Sequence, residues 1–132
     1  METSLPSPAL KVENIEIPEE ARGGNKKLTV REKVGSYFAD IPIMIDIAEC
    51  ESHFRQTDSN GEIFRGKSNP ADIGVMQINE KFHGKKSQKL GYDIYLLEGN
   101  LEYARYLYES EGARPWMHSS ACWAKFENLA KK

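Results

Sequence analysis

The stretch "IMIDIAECESHFRQTDSNGE", residues 43–62, carries the strongest chemical candidate in the chain. At helical spacing, the neighbours of Glu51 on its own face are Ile47, Ala48 and Met44. All three are apolar. A carboxyl group among them is partly desolvated, which disfavours its charged form and raises its pKa. A carboxylic acid that keeps its proton near neutral pH can act as a general acid. The alternative is a side chain at a helix end that bends out to water. Glu49 is a weaker candidate, because its neighbours include Asp46 and Pro42.

The elements that would position Glu51 follow from pattern and punctuation. Thr29 and Glu32 in "TVRE" form a capping box. Val30, Val34, Tyr37 and Phe38 then recur at helical spacing, predicting about ten residues of helix. Asp40 is expected to cap a second helix, with Pro42 in its first turn and an end near Ser52. "FRQTDSNGEIFRG" holds the turn signal Asn60-Gly61 between two short segments and predicts a small hairpin. Val75 to Ile78 is a short apolar piece, and "HGKKSQKLG" suggests one or two helical turns ending at Gly91. Leu97, Leu101, Ala104 and Tyr108 share a stripe in a long helix that stops at Gly112, and a short helix is expected from about Ser119. The fold class expected is therefore α+β, mostly helical, with a small β-hairpin.

Length and composition bound the rest. The chain has 132 residues, 39% hydrophobic and 29% charged, with a formal net charge of -2. That suits one domain with a modest core and gives no basic surface suited to nucleic acid. No apolar run approaches the roughly 20 residues of a membrane span. Residues 1–27 hold three of the six prolines and the Gly23-Gly24 pair without apolar periodicity, and read as a flexible arm or linker. Residues 28–127 would be the folded domain that carries Glu51, and 128–132 a frayed tail. The N-terminal stretch lacks the basic and apolar regions of a secretory signal. That leaves a chain that stays in the cytosol or one whose export segment lies upstream.

Several features occur together in order: the Glu51-Ser52 pair, a polar hairpin, "GVMQI" at Gly74 to Ile78, Asn100-Leu101, and Tyr106-Leu107. Over roughly residues 37–123 this set resembles the catalytic domain of the soluble lytic transglycosylases, which is related in fold to goose-type lysozyme. The resemblance implies a lysozyme-like fold and an enzyme of the cell envelope, outside the cytoplasm. Its partner would be the peptidoglycan glycan strand, cut between N-acetylmuramic acid and N-acetylglucosamine. It implies no cofactor and no metal, and we expect a monomer. Glu51 matches the catalytic acid and Ser52 the serine after it. Met76 and Gln77 match positions that line the sugar groove, and Tyr106 the tyrosine that approaches the acid; as residues alone, Met76, Tyr103, Tyr106 and Tyr108 read equally as core or helix-surface groups. The chain departs from the family after the Tyr-Leu helix, where "GARPWMHSSACW" stands in place of an Ala-Tyr-Asn-Ala-Gly stretch, and at Asn79, a position that is often apolar.

The reaction type turns on a second carboxylate. Retaining and inverting glycosidases use two carboxyl groups flanking the bond. A lytic transglycosylase needs one, which protonates the leaving oxygen and then deprotonates the muramyl 6-hydroxyl, giving a 1,6-anhydro product. Asp58, Glu62 and Asp72 are the candidates for a second group, and a hydrolase (a muramidase) is the alternative activity; for each of the three the plain reading is a solvated charge. A glycan-binding module without turnover is the alternative outside enzymes.

Cys50 and Cys122 admit three states. They can form a disulfide, remain two free thiols, or join His53 and His118 in a structural zinc site. Lys81, Lys85, Lys86 and Lys89 with His83 make a basic cluster, read as a solvated helix face or as a surface that attracts an anionic wall polymer. No Walker A loop, G-x-G-x-x-G or G-x-S-x-G is present.

Overall fold

A computed structural model describes residues 27–130, with side chains to Phe126. The arm read in residues 1–27 lies outside the described residues up to residue 26, as do residues 131–132 of the tail. The described part is mostly helical: α1 (Val30–Tyr37), α2 (Pro42–Ser52), β1 (Asp72–Ile73), β2 (Ile78–Asn79), α3 (Glu80–Leu90), α4 (Leu97–Glu111), a 3-10 segment (Arg114–Ser119) and α5 (Ser120–Ala130). The strands form one antiparallel pair, with Asp72 opposite Asn79 and Ile73 opposite Ile78. Among the described residues no helix is long and apolar enough to cross a membrane.

The capping box forms as read. Thr29 Oγ1 accepts from the Glu32 amide at 3.1 Å, and Glu32 Oε1 accepts from the Thr29 amide at 2.9 Å. The helix it starts is eight residues long and buries Val34 and Tyr37. Pro42 lies in the first turn of α2, but the cap expected at Asp40 is not made. Ile41 is the N-cap, without a side-chain hydrogen bond. Asp40 instead takes both terminal nitrogens of Arg105 at 2.9 Å. A bidentate ion pair outcompetes a single capping bond.

The hairpin is displaced from its expected place. The Asn60-Gly61 turn does form, with Gly61 at φ 80 and Asp58 Oδ1 accepting from the amides of Asn60 and Glu62. Pairing around it stops at one bridge, Thr57 to Ile63. Its flanking residues are mostly polar and exposed, so this pairing buries little. The sheet forms around "GVMQ" instead, where Ile73 and Ile78 are both buried. Asn79 caps α3 through its side chain, which lengthens that helix to 11 residues rather than one or two turns. The tail read as frayed from residue 128 is helical to Ala130.

The core gathers Phe38, Met44, Ile47, Val75, Met76, Tyr103 and Trp116, among others. Two buried amides hold the tight turn between the strands, Asn100 from α4 and Gln56 from the loop after α2. Asn100 Oδ1 accepts from the Met76 amide at 2.9 Å, and its Nδ2 donates to the carbonyls of Ile73 and Ile94 at 3.1 and 2.9 Å. Gln56 Oε1 accepts from the Val75 amide at 2.9 Å. Gly74 lies between them at φ 74; a Cβ there would stand 2.5 Å from Asn100 Nδ2 and 2.7 Å from Gln56 Oε1, so the position requires glycine.

Candidate functional site

Glu51 lies in the last turn of α2, one residue before its end. Its expected neighbours Met44, Ile47 and Ala48 are all fully buried, and its own side chain is only 5% exposed. It does not bend out to water. The carboxyl meets the segment "GARPWMHSSACW" that follows α4. Ser119 Oγ donates to Oε2 at 2.6 Å, and His118 Nε2 lies 3.0 Å from Oε2 and 3.2 Å from Oε1. Burial pushes the Glu51 carboxyl above the usual glutamate range. The Ser119 hydroxyl and His118 pull it back in part, and the charge of Asp72 adds to the rise.

A cleft of about 450 Å³ opens beside this carboxyl. His53, Arg55, Lys67, Asp72, Gln77, His118 and Ser119 stand on its walls with Glu51. A smaller hollow of about 170 Å³ shares Asp72, Gln77 and His118 with it and reaches His83, Leu107 and Trp116. The backbone is strained around these walls. Among the described residues the non-glycine positions with left-handed φ are His53 (54°), Phe54 (62°) and Gln77 (52°). Two of the three line the cleft and the third follows directly after His53. Such conformations cost on the order of 1–3 kcal/mol each and cluster at functional sites.

The residues selected from sequence separate into those the cleft holds and those it does not. Glu51 and Gln77 both line it. Of the three acidic candidates only Asp72 does, with Oδ1 accepting from Asn79 Nδ2 at 3.0 Å. Asp58 and Glu62 are exposed at the Asn60-Gly61 turn. Ser52 is fully buried. Its Oγ donates to the Ala48 carbonyl and accepts from the Arg55 amide, so it shapes the end of α2 and presents nothing to a ligand. The Met76 side chain is core, not groove; only its backbone is engaged, with its carbonyl accepting from Trp116 Nε1 at 2.8 Å. Tyr106 packs among Tyr92, Tyr103 and Lys86 rather than against Glu51. In that cluster Tyr103 shares a hydrogen bond with His83 at 2.8 Å, and burial pushes its hydroxyl up to about 12.

Cys50 and Cys122 form a disulfide, Cα atoms 6.0 Å apart, which joins α2 to α5. The thiolates that a zinc set would need are thereby taken, and among the described residues no His, Cys, Asp and Glu group is arranged to hold a metal. The lysines of α3 are all exposed. Ser119, Arg55, Lys67 and Trp123 escaped sequence reasoning as site residues. Ser119 and Glu51 are 68 positions apart. The signal that links them is the cysteine pair, since Cys50 adjoins Glu51 and Cys122 follows Ser119 by three. Comparison with known proteins finds no match: no family model, no curated protein and no solved structure aligns with this chain.

Proposed function

We propose that the chain is a peptidoglycan-cleaving enzyme on a lysozyme-like fold, a lytic transglycosylase that uses Glu51 as its single acid and base. One observation carries the reading: a carboxyl 5% exposed, its pKa raised by burial, forms the wall of an open cleft. Burial keeps a proton on Glu51 at a pH where an ordinary glutamate has lost it. In the first step Glu51 gives that proton to the glycosidic oxygen, and the bond to the sugar carbon breaks. The substrate's N-acetyl group stabilises the cationic centre. In the second step the Glu51 carboxylate takes the proton of the muramyl 6-hydroxyl while that oxygen closes on the same carbon. The enzyme ends as it began, and the product carries a 1,6-anhydro ring.

Asp72 favours a second reading, hydrolysis. It faces the same cleft, and a second carboxylate there can activate water. Mass spectrometry of digested peptidoglycan separates the two. Anhydro products, lighter by one water, establish the transglycosylase, and reducing ends establish the hydrolase. Glu51→Gln tests the shared premise. Turnover on purified cell wall falls by 10²–10⁴ or more, with glycan binding retained. Unchanged turnover sinks both readings, and binding without turnover in the parent protein leaves a glycan-binding module.

A further inference from the structure

We propose that Ser119 is the positioning residue of Glu51, a hydroxyl that serves both of its protonation states and is fastened in place by the Cys50–Cys122 disulfide. This rests on the acid and base role of Glu51 given above. A hydroxyl has one proton and two acceptor lone pairs. Trp123 Nε1 donates to Ser119 Oγ at 3.1 Å, which occupies one lone pair. Two acceptors remain for its proton, Glu51 Oε2 at 2.6 Å and the Trp116 carbonyl at 3.1 Å. When Glu51 is ionised, the Ser119 proton points at Oε2, at a length expected of a hydroxyl on a carboxylate. When Glu51 holds its proton, the carboxyl O–H points at the second lone pair, and the Ser119 proton turns to Trp116. Each state is satisfied by one hydroxyl rotation, with no heavy atom displaced. Such a partner asks for no reorganisation beyond that rotation while an acid gives a proton and takes one back within a turnover.

The fastening is covalent and adjacent. Cys50 precedes Glu51, while Cys122 precedes Trp123 and follows Ser119 by three residues. Trp123 is buried and holds the Trp116 carbonyl as well as Ser119. The disulfide therefore joins the carboxyl's helix to the helix and turn that carry its partner.

Other groups facing the carboxyl also bear on its titration. His118 contacts it from the 3-10 segment, Asp72 acts on it from β1, and His53, Arg55 and Lys67 share the cleft. The test therefore reads Glu51 itself. The carboxyl carbon of Glu51 is followed by ¹³C NMR against pH in the full chain without substrate. Ser119→Ala removes a bond that favours the carboxylate, so the midpoint moves up, and Ser119→Thr restores the parental value. Reduction of the disulfide in the parent moves the midpoint in the same direction as Ser119→Ala. In turnover on peptidoglycan, Ser119→Ala lowers kcat on the order of tenfold with KM little changed, and Ser119→Thr recovers it. A Ser119→Ala midpoint equal to the parent's, or a threonine variant that tracks alanine, overturns the proposal. A reduced protein with the parental midpoint overturns the fastening. Should Ser119→Ala not fold, Trp123→Phe supplies the same reading, with a smaller upward move expected and no move contradicting the network. Because the titration needs no substrate, its result stands apart from Glu51→Gln turnover, whose persistence would defeat the acid and base role of Glu51 while leaving the hydrogen bond between Ser119 and Glu51 to be read by the titration.

Discussion

The carboxyl of Glu51 pays for its position in stability, and the sign of that cost can be worked out. Its folded pKa lies above the unfolded one because burial disfavours the charge. Between the two values the unfolded chain binds fewer protons than the folded one, so stability falls as pH rises through that window. The window opens at roughly pH 4.3, the ordinary glutamate value, and extends upward. Glu51→Gln keeps an oxygen for Ser119 and an amide for His118 but carries no charge. Its melting temperature is therefore expected to exceed the parent's at pH 7 and to converge with it below about pH 4. Thermal unfolding of both proteins across pH 3–8 checks this, and a gap of equal size at both ends contradicts the sign. The placement of Glu51 was legible in the sequence because helical spacing reports a residue's own face. Its partners were not, since no local pattern reports a contact across 68 positions. Ser52, Met76 and Tyr106 show the complementary failure: a motif position carries residue identity but not the direction of the side chain.

At the scale of elements, the cleft depends on how the turn between β1 and β2 is held against α4. Two residues per strand cannot support a sheet alone. Asn100 and Gln56 compensate by taking backbone groups of Ile73, Val75 and Met76. Asn100→Ala leaves the Met76 amide and two carbonyls without this partner in a buried place, and a loss of about 3 kcal/mol is expected. Denaturant unfolding at neutral pH measures it, and a loss below about 1 kcal/mol contradicts the role. Gln77, at the exit of this turn, then also moves, so cleft binding weakens along with stability. Helices were read well where caps and stripes agree, as at Thr29 and Gly112. The sheet was misplaced because Asn60-Gly61 is a strong turn signal, whereas strand pairing follows burial, which only the packed chain decides. Asp40 went instead to Arg105, a bidentate ion pair 65 residues away in sequence that no local pattern reports.

For the whole molecule, the disulfide spans 72 positions. In the chain-entropy model such a crosslink contributes roughly 4 kcal/mol by restricting the unfolded chain. Replacing both cysteines by serine is expected to cost about 2–5 kcal/mol. Calorimetry with and without reductant checks it, and equal melting temperatures rule it out. The same bond has a topological consequence. Every residue that lines the cleft, from Cys50 to Ser119, falls inside one covalent ring. A protease that cuts the exposed run Lys67-Ser68-Asn69 opens the ring without dividing the molecule. The nicked protein keeps its full mass on a non-reducing gel and falls into two pieces only when thiol is added. Glu51 and Ser119 then lie on different pieces, still joined through the sulfur atoms beside them. The wall that carries the acid and the wall that orients it stay one object after the chain between them is broken.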